Sequence, residues 1–230
     1  MTGFEYLVLR EAGLVILGYL AGSVSFSALA GRLRGVDLRK TGSGNLGATN
    51  VFSVLGKPTG LAVFGLDVFK GSFPCIVAQS FSAMILGDGH HPGFFEIVLA
   101  GVGAVIGPLF PVVHQFKGGK GVATSLGVVL VAAPFESIIA LVIFIPVVWM
   151  TRYISLGSLV ATISVPVFSV VNAAFFHMGP AGNVIHAGGF LPAILFAPMA
   201  YIIYRTHRGN LRRIREKTET RFSWWGYTGK

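Results

Sequence analysis

Long apolar stretches, separated by short polar and glycine-rich segments, dominate the chain. A helix that crosses a bilayer needs about 20 mostly apolar residues, and most of these stretches reach or approach that length. They cover residues 14–31, 57–86, 94–113, 122–150, 156–176 and 189–204. The pattern predicts an all-α integral membrane protein.

The stretch 122–150 is too long for one short span and contains Pro134 and Glu136 in its interior. Proline removes a backbone donor and breaks a helix, so the stretch reads as two short helices joined by a turn. This division predicts a bundle of seven transmembrane helices. One continuous helix would give six, and that alternative stays open.

Charge is scarce in this chain and unevenly distributed. Only 12% of the 230 residues are charged, against about 25% in an average soluble domain. Sixteen of the 18 Lys and Arg residues fall in loops that seven spans would place on one face. Since basic loops face the cytoplasm, we expect an outer N-terminus and a cytoplasmic C-terminus. We also expect a single transmembrane domain over residues 1–204 and a basic cytoplasmic tail over residues 205–230.

The net charge of +9 indicates contact with anionic lipid headgroups beside the spans. No soluble recognition domain presents the charge, so we expect membrane lipids and not nucleic acid as partners. Cys75 is the only cysteine, and the sequence lacks the His and Cys spacing of metal sites. We therefore expect no metal and no cofactor.

Three polar segments fall on the predicted cytoplasmic face, and the first is KTGSGNLGATN at residues 40–50. Gly42, Gly44 and Gly47 match G-x-G-x-x-G, but the apolar strand of a dinucleotide site does not precede them. Such glycines let backbone N–H groups converge on an anion. Additional side-chain donors in this segment come from Ser43, Asn45, Thr49 and Asn50. We expect an anion site here, and a polar turn for close helix packing is the alternative.

The second segment, FKGGKGVATS at residues 116–125, opens a predicted helix. Lysines and glycines at a helix N-terminus are typical of an anion site. The residues concerned are Lys117, Gly118, Gly119, Lys120 and Gly121, with Thr124 in the first turn. Because Lys120 is followed by glycine, a Walker A loop is excluded. Ordinary lysines beside a flexible turn are the alternative.

The third segment, RTHRGN at residues 205–210, follows the last predicted span. Its His207 is suited to acid–base chemistry or hydrogen bonding, and a plain surface histidine is the alternative. Ser155 follows the fifth predicted span and is expected to line the same cavity. These segments together predict a membrane enzyme that handles phosphorylated substrates.

Asp67 and Lys70 are two ionisable residues inside the apolar stretch 57–86. Ionisable residues within a membrane span usually have a partner and a function. Since they are three residues apart on a helix, we expect them to neutralise each other or to border the cytoplasmic cavity.

Four motifs, GSGNLGATNV, LDVFKGSFP, FKGGKGVATSLG and HRGNLRRI, occur in this order along nearly the whole chain. In this combination the sequence resembles the acyl-phosphate:glycerol-3-phosphate acyltransferases of bacterial membranes, the PlsY family. The resemblance implies transfer of a fatty acyl group from acyl phosphate to the sn-1 hydroxyl of glycerol 3-phosphate, giving lysophosphatidic acid. It also implies a seven-helix protein of the bacterial inner membrane, an active site facing the cytoplasm, and an upstream enzyme that forms acyl phosphate.

Matching motif positions imply individual roles. The implied catalytic residues are Ser43, Lys120, His207 and Asn210. The implied substrate-binding residues are Gly42, Gly44, Asn45, Gly47, Thr49, Asn50, Lys117, Gly118, Gly119, Gly121, Thr124, Ser155 and Arg208.

Three positions depart from the family pattern. Ser53 stands where an arginine is usual, Pro108 stands where a histidine is usual, and a late G-T-E reads K-T-E at residues 217–219. Serine cannot copy the guanidinium fork, so the resemblance implies weaker acceptor binding or compensation by Arg205 or Arg208. A diverged paralogue with another acceptor, or without activity, is one alternative. A transporter of phosphate or organic anions is another, although the inverted repeats of transporters are missing.

Overall fold

The computed structural model describes residues 3–86, 94–116, 118–175 and 190–222. Over these residues the chain forms α-helices and one short 3-10 turn, Val112–His114, with no strand. The helices are α1 (Gly3–Ser23), α2 (Phe26–Leu33), α3 (Ala48–Leu55), α4 (Lys57–Leu86), α5 (Phe94–Leu109), α6 (Val122–Ala132), α7 (Pro134–Thr151), α8 (Ile154–Phe175) and α9 (Leu191–Arg215). The predicted all-α class is confirmed for the part of the chain described.

Five described segments are long and apolar enough to cross a membrane. They are Glu5–Leu33, Lys57–Ser80, Phe94–His114, Pro134–Thr151 and Ile154–Phe175. Large apolar side chains on them are exposed, as on a lipid-facing surface; Trp149 is 68% exposed. The chain is therefore a membrane-embedded protein. Residues 87–93 and 177–188, which seven spans would place in loops on the outer face, lie outside the described residues.

The predicted division of the stretch 122–150 is confirmed. Helix α6 ends at Ala132, and α7 begins at Pro134. Proline fits the first position of a helix because the N–H it lacks would have no partner within the helix there. The chain also separates into two compact units at this point, unit 1 (Met1–Ala132) and unit 2 (Ala133–Lys230).

The predicted first span, 14–31, differs from the structure at its start and in its middle. The predicted start at residue 14 is wrong, since α1 is already helical from Gly3. The span is also interrupted at residues 24 and 25, between α1 and α2. Ser25 begins a separate helix, because its Oγ accepts a hydrogen bond from the N–H of Ala28 (3.2 Å) and so caps the N-terminus of α2.

Charged residues near the start of α1 are paired. Arg10 forms ion pairs with Glu11 and with Glu96 of α5, the latter at 2.7 Å. The side chains of Arg10 and Glu96 are about nine-tenths buried, so the contact joins the two helices within apolar surroundings.

Glycines allow the long helices of unit 1 to pack closely. A Cβ added to Gly18 of α1 or to Gly103 of α5 would collide with the backbone of the facing helix. The same holds for Gly71 of α4 against α6 and for Gly127 of α6 against α4. Apolar side chains gain little from leaving lipid, so membrane helices associate through close contacts of this kind.

Unit 2 contains α7, α8 and α9, with α8 packed against each of the other two. Helix α9 runs without a break from Leu191 to Arg215, past position 205, so the predicted tail begins as the end of a helix. Residues 216–222, here called the C-terminal strap, turn back at Lys217 (φ 57°). The N–H of Phe222 then donates to the carbonyl of Arg152, just after α7 (2.7 Å).

Candidate active site

The loop before α3 holds the first predicted group of site residues. Ser43 and Thr49 are exposed and Asn45 is half-buried. Gly42 and Gly44 have φ values of 65° and 71°, a left-handed conformation that side chains disfavour. The loop can therefore turn tightly and still present polar groups at its surface.

Asn50 holds this loop closed from beneath. Its side chain is buried, and its Oδ1 accepts a hydrogen bond from the N–H of Ser43 (2.9 Å). Its Nδ2 donates to the carbonyls of Leu38 (2.9 Å) and Thr41 (3.1 Å). An amide has two N–H donors, so these bonds use both of them and one of the two lone pairs of the oxygen. The geometry makes Asn50 a residue that positions the loop.

Apolar residues on both sides of the loop anchor it. They form a buried cluster that consists of Leu38, Leu46, Val51 and Val63. Because Val63 belongs to α4, this cluster fixes both ends of the loop to that helix.

The second predicted loop passes directly beside the first. The N–H of Gly119 donates to the carbonyl of Pro108 at the end of α5 (2.8 Å). A Cβ added to Gly118 would collide with that carbonyl, and one added to Gly119 would collide with the carbonyl of Leu46. Only glycine fits at these two positions. The structure thus brings the two predicted loops of unit 1 together.

This contact places two helix N-termini near each other. Helix α3 begins two residues after Leu46, and α6 begins three residues after Gly119. The first N–H groups of a helix have no intrahelical partner and carry partial positive charge. Lys120 is half-buried just before α6 and adds a full charge. Such a set of donors is suited to an anion the size of phosphate.

Other predicted residues of the second loop are placed differently. Lys117 lies outside the described residues. Thr124 is only 1% exposed, and its backbone packs against Gly71 of α4. Gly121 has a φ of 73° and turns the chain into α6. In this structure Thr124 contributes to helix packing, and its predicted contact with substrate stays a prediction.

Helix α9 carries the third predicted group, in unit 2. His207 and Asn210 are three residues apart, lie on one face of the helix and are both buried. Nδ1 of His207 is 2.8 Å from the carbonyl oxygen of Ile203. Because a carbonyl only accepts, Nδ1 carries the hydrogen, and in the neutral ring Nε2 then bears the lone pair. The alternative of a surface histidine is wrong, since His207 is 2% exposed.

Glu219 of the C-terminal strap, which the sequence analysis did not select, joins two predicted residues. Its Oε1 accepts hydrogen bonds from Asn210 Nδ2 (2.6 Å) and from Ser155 Oγ (2.8 Å). Its Oε2 pairs with Arg213 Nε at 2.7 Å. The structure thus brings Asn210 and Ser155 together around one carboxylate. The sequence signal for Glu219 was the late K-T-E segment alone.

The Glu219 carboxyl is ionised at neutral pH. Burial opposes its ionisation, but hydrogen bonds from Asn210, Ser155 and Arg213 outweigh that effect, so its pKa lies below the ordinary 4.5. A negative charge is therefore fixed beside the amide of Asn210.

The two arginines expected to replace the missing guanidinium lie on the exposed side of α9. Arg205 donates to the hydroxyl of Tyr201 (3.2 Å) and lies 6.0 Å from the centre of its ring. Arg208 is exposed and is turned by about 100° from the adjacent His207. Compensation for Ser53 by either arginine stays a prediction.

Comparison with known proteins places the chain among acyltransferases. The sequence model of the family described as glycerol-3-phosphate acyltransferase matches residues 12–217. A glycerol-3-phosphate acyltransferase of Myxococcus xanthus is 43% identical over 92% of this chain and 99% of its own length. One from Aquifex aeolicus is 40% identical over 91% of this chain and 97% of its own length.

Two solved structures of PlsY, an integral membrane glycerol 3-phosphate acyltransferase, are similar to this fold. The glycerol 3-phosphate form has a TM-score of 0.77 and 35% identity, covering 93% of this chain and 96% of that one. The lysophosphatidic acid form has a TM-score of 0.76 and 33% identity, covering 94% and 97%. With the family match over most of the sequence, these results show that the chain belongs to the glycerol-3-phosphate acyltransferase family.

Proposed function

We propose that the chain acylates the sn-1 hydroxyl of glycerol 3-phosphate to form lysophosphatidic acid, with acyl phosphate as the donor. The observation that carries the proposal is the adjoining pair of helix N-termini beside Lys120, which suits a phosphate group. The likeness to PlsY in its glycerol 3-phosphate and lysophosphatidic acid forms supports the acceptor and the product.

The reaction needs positioning of the two substrates and compensation of their charge more than covalent catalysis by the protein. The acceptor hydroxyl attacks the acyl carbon, an ester bond forms, and the bond to the phosphate oxygen breaks, releasing inorganic phosphate. Lys120 and the N–H groups at the starts of α3 and α6 would stabilise negative charge on the phosphate. The hydroxyl proton passes to His207 or to a phosphate oxygen of a substrate. A lowered kcat in a His207→Gln variant would indicate the first route, and an unchanged kcat the second.

The direct test uses the purified protein in detergent with glycerol 3-phosphate and either acyl phosphate or acyl-CoA. We expect lysophosphatidic acid and inorganic phosphate from acyl phosphate, and no product from acyl-CoA. Product from acyl-CoA would overturn the proposed donor. Turnover only with another hydroxyl compound would overturn the proposed acceptor.

Lys120 offers a matched pair of variants for this assay. Lys120→Ala should lower kcat/KM by roughly ten- to hundredfold, since a hydrogen bond to a charged group contributes about 1.5–3 kcal/mol. Lys57→Ala removes an exposed lysine at the first residue of α4 and should have little effect. Equal small effects from both variants would show that Lys120 only marks the cytoplasmic face of the membrane and does not bind the phosphate.

We further propose seven spans in the bacterial inner membrane, with an outer N-terminus and the candidate site facing the cytoplasm. The clustering of 16 basic residues in alternate loops supports this orientation. Helix α6 and the apolar start of α9 would supply the two spans beyond the five long ones. Residues 1–204 would form the transmembrane domain, and residues 205–230 would contact anionic lipid.

Single cysteines test the orientation in a Cys75→Ala background. Lys40→Cys and Glu216→Cys, both at exposed positions, should react with an impermeant maleimide only from the cytoplasmic side. Gly89→Cys, outside the described residues, should react only from the outside. Labelling of positions 40 and 216 from opposite sides would overturn the seven-span proposal.

A further inference from the structure

The ion pair of Asp67 and Lys70 in α4 has no part in the mechanism proposed above. Lys70 Nζ lies 2.7 Å from Asp67 Oδ1 and donates to the carbonyl oxygen of Val24 at 2.9 Å. Both side chains are about nine-tenths buried. Val24 lies in the break between α1 and α2, so the pair connects α4 to that break.

The location of the ammonium group follows from the chemistry of a helix end. The last carbonyls of α1 have no intrahelical partner and carry partial negative charge, which a cation stabilises. Asp67 compensates the charge of Lys70 within an apolar segment, where an unpaired cation would be costly. The ammonium therefore fixes the position of Val24 and leaves the pair neutral.

A series of contacts leads from Val24 to the candidate phosphate site. Ser23, next to Val24, packs so tightly on Gly107 of α5 that a Cβ at Gly107 would overlap its backbone. The next residue, Pro108, accepts the hydrogen bond from the N–H of Gly119 (2.8 Å). The pair thus connects through two adjoining backbones to the second glycine-rich loop.

The same turn of α4 reaches the site by a second route. Lys70 lines a small cleft together with Leu46 and Gly119, the two residues at which the glycine-rich loops meet. The residue after Lys70, Gly71, packs directly on the backbone of Thr124 in the first turn of α6. One helical turn therefore borders the same cleft as the loop and contacts the helix N-terminus that follows it.

We propose that Asp67 and Lys70 are positioning residues which set the spacing of the two glycine-rich loops and thereby the affinity for the substrate phosphate. This inference rests on the proposed function. The pair acts through Val24, Pro108 and Gly119 and does not touch the substrate.

The test separates positioning from simple stabilisation. Replacing a buried ion pair by apolar residues of similar size often leaves stability unchanged or raises it. The double variant Asp67→Leu/Lys70→Met should therefore unfold near the parent temperature. Its KM for glycerol 3-phosphate should nevertheless rise about tenfold, with kcat changed less than threefold.

Hydrogen exchange, followed by mass spectrometry, gives a second readout that does not depend on turnover. The peptide containing Gly119 should exchange about tenfold faster in the double variant, whereas the α4 peptide stays protected. Parent exchange rates, or a parent KM, in a folded double variant would overturn the proposal. A parent protein inactive on glycerol 3-phosphate would count against the proposed function alone, because the exchange result does not need turnover.

A single variant covers the case in which the double variant does not fold. Lys70→Arg keeps the charge and the donors but is one atom longer, so it should displace Val24 and raise the KM at least threefold. An unchanged KM and unchanged exchange at Gly119 would overturn the proposal.

Discussion

Replacing Glu219 by glutamine tests whether its charge holds the C-terminal strap in place. Glutamine keeps the size of the side chain, and its oxygen can still accept from Asn210 and Ser155. Its NH2 group then faces Arg213 Nε, and two donors cannot bond to each other. Glu216→Gln is the matched control, since it makes the same change at an exposed residue of the same strap.

The expected loss can be worked out from the three contacts of Glu219. A hydrogen bond to a charged group contributes about 1.5–3 kcal/mol and a neutral one about 1 kcal/mol, so two bonds each weaken by at least about 0.5 kcal/mol. The side chain of Arg213 is 41% exposed, and such an ion pair contributes at most about 1 kcal/mol. The total of about 2 kcal/mol corresponds to roughly thirtyfold in the equilibrium between bound and released strap.

Hydrogen exchange of the C-terminal peptide measures this equilibrium. The amides of Thr218, Glu219 and Phe222 are hydrogen-bonded to backbone carbonyls, so they exchange when the strap is released. Glu219→Gln should accelerate their exchange by roughly thirtyfold, and Glu216→Gln by less than twofold. We also expect kcat/KM to fall in Glu219→Gln, because release of the strap separates Asn210 from its partner at position 219. Parent exchange rates in Glu219→Gln would show that the charge of Glu219 does not hold the strap.

Three further predictions concern pH and the first site. Because the pKa of Glu219 is lowered in the folded protein, its ionised carboxyl stabilises the fold above the ordinary pKa of 4.5, and this stabilisation is lost as pH falls through the folded pKa. Below about pH 4.5 the unfolding temperature of Glu219→Gln should therefore fall less than that of the parent. Gly119→Ala should raise the KM for glycerol 3-phosphate tenfold or more because its Cβ meets the carbonyl of Leu46, whereas Gly13→Ala, with open space around it, should leave KM unchanged. Ser53→Arg should lower the KM for glycerol 3-phosphate by roughly tenfold, which corresponds to about one charge-assisted hydrogen bond. Side chains on a helix lean toward its N-terminus, so the new guanidinium would extend toward the start of α3. An unchanged KM would indicate that another arginine already compensates.

The hydrophobic pattern was sufficient to predict the long helices. The stretch 57–86 matches α4 in both bounds, and Pro134 correctly marks the start of α7. These signals are local, because helix length and proline chemistry depend on neighbouring residues alone. The break within the first predicted span was missed because Ser25 is neither charged nor a proline. Its capping bond to the N–H of Ala28 shows only in three dimensions.

The candidate site was predictable in residue type but less so in arrangement. The glycine-rich loops were selected correctly as polar segments, yet their contact at Leu46 and Gly119 depends on the packing of α5. The K-T-E segment marks the position of Glu219, but its role was missed because its partners are 6 to 64 positions away in the sequence. Pairing over such separations is decided by tertiary structure.

Hydrogen-bonding capacity separates motif residues that hold the site from those that can meet a ligand. Asn50 of α3 uses its oxygen and both N–H donors on the backbone of the preceding loop, so its N–H groups could bind substrate only if that loop opened. Ser43 lies in that loop and Thr49 at the start of α3, and both side chains are exposed and so accessible to a ligand. Substitutions at Asn50 should therefore lower stability and activity together, whereas substitutions at Ser43 should lower activity alone. Motifs of this kind record two different physical requirements, and thermal unfolding measured beside kinetics distinguishes them.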